Sequence, residues 1–205
     1  MIALDTTAHS PGSAFNYTCT GTNLILIVFC IDGQGVITGC KYNGVDMVQV
    51  GTEILNNAGD FTTCWILKNP ATGSHSIAPT GGSGTTLIYA ESLTGAEQSN
   101  TPDAFKQTTG NTTAMSGTIT TVKDNCWLVA CGCTGLVFTP ETNFTVRQSD
   151  GVLIKKRLGD SNGAITPAGD TIQSATVSAT SWGLFQVSIA PAILAPTNNF
   201  LNFFK

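Results

Sequence analysis

The hydrophobic positions of this 205-residue chain fall into short runs, and two of these runs contain almost nothing but apolar residues. The first is Leu24 to Ile31 and the second is Cys126 to Cys133. Each is too short for a membrane-spanning helix, which needs about 20 residues, and the branched side chains favour a strand over a buried helix. The two runs therefore predict strands that are buried on both faces and form the middle of the fold.

Most other segments alternate apolar and polar residues, which is typical of strands with one buried face. Phe15 to Thr20 and Phe61 to Leu67 show this alternation, and Trp65 is predicted to anchor the core. Asn43-Gly44 and Asp150-Gly151 are strong signals for hairpin turns between such strands.

Two polar segments interrupt this pattern. Glu53 to Gly59 is interpreted as a surface loop. Ser92 to Gly117 is long and polar, and a stretch of this kind in a compact domain is usually a binding loop, a lid or a crossing connection. The sequence predicts that it passes over one end of the sandwich.

Composition supports an all-β fold. Charged residues make up 11% of the chain, against roughly 25% in an average soluble protein, whereas Thr (31), Gly (22) and Asn (14) are abundant. Thr suits strands, and Gly and Asn suit turns. We expect a two-sheet antiparallel β-sandwich, with one domain over residues 1–190 and a C-terminal arm over residues 191–205.

The charge distribution argues against a nucleic-acid partner. The formal net charge is −4, and the one basic cluster, Lys155-Lys156-Arg157, is interpreted as a solvated strand end. A surface that binds phosphates needs a stripe of cations, which this chain lacks. No membrane partner is expected either. Met1 to Asp5 has no signal-peptide features, so the sequence suggests assembly in a cytoplasm.

The seven cysteines lie in or beside apolar strands, which is typical of small buried side chains. An odd number cannot pair fully within one chain, and free thiols in a reducing compartment are expected. Cys131 and Cys133 could suggest zinc, but the usual spacing and a second pair are missing. We expect no metal and no cofactor.

Three segments resemble a known group of proteins. Val36 to Met47, Trp65 to Gly73 and Leu93 to Pro102 resemble recurring segments of jelly-roll-like β-sandwiches in tailed-phage virion proteins and some bacterial surface proteins. The resemblance covers most of residues 3–190, and its motifs are structural. The cysteines depart from it, since Val or Ala would usually occupy those strand positions.

The resemblance implies a non-enzymatic structural protein of a phage virion, such as a capsid decoration protein or another surface subunit. Its partners would be copies of itself and other virion proteins, and its location the virion, assembled in the host cytoplasm.

Two other functions are weighed against this one. A carbohydrate-binding or adhesive module, with a glycan receptor, would need exposed aromatic residues, for which Trp182 and Tyr89 are candidates, although core packing is favoured for both. An enzyme is the weakest alternative, because neither His-Glu-x-x-His nor Gly-x-Ser-x-Gly is present. Glu91 and Glu97 could act as a carboxylate pair, but sequence does not give their separation.

The end of the sequence holds a dense apolar cluster. Four large side chains lie within five residues, namely Phe200, Leu201, Phe203 and Phe204. Exposed to water, such a cluster would favour aggregation. We predict that these residues form a subunit interface; the alternative is that they dock on their own domain as a final edge strand.

Overall fold

The computed structural model describes residues 1–12, 14–55, 59–83, 86–134, 138–150, 155–178 and 181–193. Within these ranges the chain forms strands and turns and no helix. The all-β class predicted from the sequence is confirmed.

The described residues of the first half of the chain form nine strands in two antiparallel sheets. The strands are β1 (Ala3–Pro11), β2 (Phe15–Cys19), β3 (Ile25–Asp32), β4 (Ile37–Tyr42), β5 (Val45–Asp46), β6 (Val48–Leu55), β7 (Phe61–Lys68), β8 (Gly73–Gly81) and β9 (Thr86–Thr94). The order β1-β9-β3-β7-β6 forms the N-terminal inner sheet, and β2-β8-β4-β5 forms the N-terminal outer sheet.

In the second half, the residues that the structure describes form eight strands in two further antiparallel sheets. They are β10 (Ala104–Gly110), β11 (Ala114–Thr120), β12 (Trp127–Thr134), β13 (Phe138–Pro140), β14 (Thr145–Ser149), β15 (Lys155–Asp160), β16 (Asp170–Val177) and β17 (Trp182–Ile189). The order β10-β17-β12-β15-β14 forms the C-terminal inner sheet, and β11-β16-β13 forms the C-terminal outer sheet.

The two halves repeat one strand order. In each, the first strand pairs with the last, the last with the third, and the third with a strand further along, giving β1-β9-β3-β7 and β10-β17-β12-β15. The second strand of each half starts a separate sheet, β2-β8-β4 or β11-β16-β13. Two sheets connected in this way are the arrangement of a jelly roll. The chain therefore contains the jelly-roll order twice.

Three hydrophobic cores hold the four sheets together as a stack. One core lies between the N-terminal outer and inner sheets and includes Tyr17, Tyr42 and Trp65. The second lies between the two inner sheets, where Phe29 and Phe185 meet edge to face at 5.8 Å between ring centroids. The third lies between the C-terminal inner and outer sheets. The sequence predicts two sheets, whereas the described residues form four.

The two apolar runs are the central strands of the two inner sheets. Every residue of β3 and β12 is buried, as predicted. In β3, Ile27 and Phe29 face the other inner sheet, while Leu26 and Val28 face the outer sheet. An inner sheet is covered on both faces, which explains why its central strand is apolar at nearly every position.

The hairpin predicted at Asn43-Gly44 is confirmed. Tyr42 pairs with Val45, and φ is +51° at Asn43 and +77° at Gly44, as a type I′ turn requires. Strands β14 and β15 also pair as predicted, but Gly151 in their connection lies outside the described residues.

Both predicted polar loops are partly wrong. Strand β6 runs through Glu53 to Leu55, and the adjoining residues 56–58 lie outside the described ranges. The segment from Ser92 to Gly117 contains the end of β9, all of β10 and the start of β11. Strands β6 and β10 are edge strands with exposed or partly exposed residues on both faces, so their sequences carry little alternation.

Candidate interaction surface

The four residues predicted to form a subunit interface, Phe200, Leu201, Phe203 and Phe204, lie outside the described residues. Their role therefore stays a prediction. The structure does describe the residues that precede them, up to Ile193. Pro191 forms a bridge with Ala96, and the backbone N–H of Ala192 donates to the carbonyl of Gly95 at 2.8 Å. The next residue, Ile193, is 79% exposed.

An apolar groove lies on the flank of the stack where strand β6 approaches strand β10. Its volume is about 410 Å³, within the range of roughly 300 to 1,000 Å³ that is usual for binding pockets. Two of its side chains are notably open to solvent, since Val48 is 71% exposed and Phe105 is 47% exposed. Its apolar lining consists of Val48, Val50, Ile66, Leu67, Pro102 and Phe105.

The groove exists because two sheet edges meet there. Strand β6 is the edge of the N-terminal inner sheet, and β10 is the edge of the C-terminal inner sheet. Within the part of the chain that the structure describes, each of these strands pairs on one side only. Strand β7 forms the floor through Ile66 and Leu67, and the residues before β10 form one wall.

A bulge in β6 brings the two edges together. The register of β6 against β7 shifts between Val50 and Ile54, and Gly51 has φ of +61°. A Cβ atom at Gly51 would lie 2.8 Å from the ring of Phe105 and 2.9 Å from the side chain of Gln107. Glycine is needed here both for the backbone angle and for the close approach. The Gln107 side chain also donates to the carbonyl of Thr52.

Sequence reasoning did not find this groove. Strand β10 lies inside the segment that was interpreted as a loop, so Phe105 was not assigned to an element. One signal was present, because Phe105 is the one large apolar side chain between Pro102 and Gly110. A large aromatic side chain in an otherwise polar strand indicates an exposed contact site rather than a core position.

The aromatic residues proposed for glycan binding are core residues. Trp182 is buried between the C-terminal sheets and donates its indole N–H to the carbonyl of Thr112 at 3.0 Å. Tyr89 is buried between the inner sheets and donates its hydroxyl to the carbonyl of Lys156 at 2.8 Å. Among the aromatic side chains that the structure describes, Phe105 alone is more than a third exposed.

The carboxylates considered for catalysis have different surroundings. Glu91 is buried between the inner sheets, and burial, followed by the negative charge of Asp160, raises its pKa well above the ordinary value. Arg147 opposes this shift and donates its Nε to Asp160 at 2.8 Å. Glu97 lies in the connection from β9 to β10, where a hydrogen bond from Lys123 lowers its pKa.

The interpretation of Lys155-Lys156-Arg157 as a solvated strand end is wrong for Lys156. Its side chain is buried between the inner sheets, with Nζ 3.1 Å from Oδ1 of Asp60. Cys133 donates its thiol to the other oxygen of Asp60 at 3.3 Å. Alternate residues of β15 face the other inner sheet, and the long Lys stem is apolar enough to be buried when its ammonium has a partner.

Neither a metal cluster nor a membrane-spanning helix is seen in the described ranges. No three His, Cys, Asp or Glu side chains among these residues come together as metal ligands. Nor do these residues include a helix of the length and hydropathy that a bilayer requires.

All seven cysteines are buried, as predicted. Burial raises the pKa of the Cys126 thiol to about 11 and the pKa values of Cys64 and Cys133 well above normal. A thiol that holds its proton is a poor nucleophile. These cysteines therefore act as core residues.

Comparison with known proteins finds no match: no family model, curated protein or solved structure corresponds to this chain. The arrangement of strands and the surface features above therefore carry the functional argument.

Proposed function

We propose that this protein is a non-enzymatic structural subunit of a phage-like virion, such as a capsid decoration protein or another surface subunit. It would act by packing against copies of itself and other virion proteins, and it would reach the virion by assembly in the host cytoplasm. The observation that carries this proposal is the exposed apolar groove, together with the apolar segment that follows Ile193.

The architecture is compatible with this role. Jelly rolls are common in viral capsid and lectin domains, and the chain has the jelly-roll order in both halves. The phage assignment itself rests on the sequence resemblance. Lectin-type function has less support, because Trp182 and Tyr89 are inside the fold.

The distribution of ionisable groups also favours packing over chemistry. Asp60, Lys156, Glu91 and Asp160 are all buried between the inner sheets. Substrate could reach them only if the sheets separated. The Lys156–Asp60 ion pair joins the two inner sheets, and Arg147 pairs with Asp160 within the C-terminal one.

Deletion of Thr197 to Lys205 tests the proposal. We expect the truncated protein to remain folded by circular dichroism and to lose assembly in light scattering, because three Phe and one Leu are removed. Burial of these four side chains is worth about 6 to 12 kcal/mol before ordering costs. A full-length protein that remains monomeric and is absent from purified particles in electron micrographs would refute the proposal. Selective binding in a glycan panel would support the lectin alternative instead.

A further inference from the structure

The apolar groove and the segment after Ile193 are complementary. The groove offers six apolar side chains and a sheet edge without a partner among the described strands. The sequence after Ile193 offers Leu194, Phe200, Leu201, Phe203 and Phe204 within eleven residues. We propose that the groove between β6 and β10 binds residues 197–204 of a second copy of this chain. This inference rests on the proposed function and names the contact through which copies associate.

The mode of binding follows from the position of β6. An extended peptide adds to an exposed sheet edge by main-chain hydrogen bonds, and its alternate side chains fill neighbouring pockets. In an extended segment Phe200 and Phe204 would point to the same side, as would Leu201 and Phe203. One pair can enter the groove beside Val48 and Phe105, while the other covers the edge of the sheet.

The length of the segment allows it to reach a second copy. Stacked sheets lie about 10 Å apart, so the four layers span about 30 Å between the outer sheets. Eleven extended residues reach roughly 36 Å, which is enough to pass beyond the parent fold. The side chain of Ile193, just before the segment, is 79% exposed.

The first test measures binding of the segment directly. The probe is a fluorescent peptide with the sequence of residues 194–205. The receptor is the full-length Phe200→Ser/Phe204→Ser variant, because its own segment has lost two Phe side chains and should compete less with the peptide for the groove. Val48→Lys in this receptor places a charge on the groove without disturbing the core, since Val48 is 71% exposed. Val122→Lys is the matched control, because Val122 is 69% exposed and lies outside the groove.

We expect the peptide to bind the receptor, Val48→Lys to weaken that binding at least tenfold, and Val122→Lys to leave it unchanged. Equal binding by the two lysine variants would overturn the assignment of the groove. So would an absence of peptide binding to the receptor.

The second test distinguishes a second copy from the same chain. Val48→Lys has an intact segment and a blocked groove, whereas Phe200→Ser/Phe204→Ser has the reverse. Each should sediment as a monomer, and an equimolar mixture should form a one-to-one pair. If the mixture stays monomeric while the peptide binds, the groove is filled by its own chain and the inference is wrong. If wild type and Val48→Lys assemble equally well, the inference fails and the proposed structural function stands.

Discussion

Single buried side chains decide how this protein responds to pH. Glu91 lies between the inner sheets, and its pKa is raised by burial first and by Asp160 second. The folded state therefore retains a proton that the unfolded state loses above the ordinary glutamate pKa of 4.5. The contribution of Glu91 to stability therefore falls as pH rises above that value, because at this site the folded state binds more protons than the unfolded state.

Glu91→Gln should remove this dependence. Glutamine is uncharged at every pH, so the variant and wild type should have similar unfolding free energies near pH 4. The variant should then become relatively more stable as pH rises, by up to about 1.4 kcal/mol per pH unit. Urea unfolding at several pH values between 4 and 8 measures this difference. Parallel pH profiles for the two proteins would mean that Glu91 does not titrate as described.

The cysteines give a second prediction for individual residues. All seven are buried, so a maleimide should label almost none of them in the native protein and all of them after denaturation without reductant. Mass spectrometry counts the labels. Rapid native labelling would contradict their burial, and incomplete labelling after denaturation would indicate disulfides.

For individual strands, the sequence was most informative where burial is complete. Leu24 to Ile31 predicted a strand covered on both faces, and β3 is one. That same property cannot hold in a simple two-layer sandwich, where each sheet has one face in water. The apolar runs were therefore a sign of additional layers, which the two-sheet prediction did not use.

Edge strands were the hardest elements to predict. Strand β10 has exposed or half-buried residues along its length, so neither face leaves an apolar period in the sequence. Its position is set by pairing with β17, far along the chain, and by the approach to Gly51. Local patterns do not encode such contacts. The groove could not be predicted for the same reason.

Charged substitutions in the two central strands test the layer arrangement. Val28 faces the N-terminal outer sheet, and Val129 faces the other inner sheet. Asp at either position would bury an unpaired carboxylate at a cost of several kcal/mol, against a total stability of about 5 to 15 kcal/mol. We expect Val28→Asp and Val129→Asp to be unfolded or insoluble and Val48→Asp to fold. Soluble core variants with an unchanged melting temperature would contradict the assignment.

In the molecule as a whole, the inner sheets join two halves of the same strand order through one hydrophobic core. The sequence analysis predicted a single domain over residues 1–190, and that boundary remains a prediction. The repeated order was not apparent in the sequence. Val187 of β17 pairs with Val129 of β12, and Glu91 of β9 pairs with Ile27 of β3. Val187 and Glu91 therefore occupy corresponding positions in the two halves, yet one is apolar and the other is acidic.

A cut between the halves tests this arrangement. Ser99 and Asn100 are exposed in the connection from β9 to β10, so a protease site can be inserted between them. After cleavage we expect the fragments to elute together in size-exclusion chromatography, because the inner-sheet core remains. Residues 1–99 expressed alone should aggregate. Fragments that separate into two stable, soluble monomers would show that this core contributes little.

The connection between β9 and β10 links the two inner sheets covalently, so their association is intramolecular. Short tethers hold their ends at effective concentrations on the order of millimolar, so the two halves need far less intrinsic affinity than two free proteins would. This explains how the contact tolerates a protonated Glu91 and a Lys156–Asp60 pair among its apolar residues. Natural selection for high intrinsic affinity between the two inner sheets can therefore be weak, because covalent linkage keeps the two halves of the chain together.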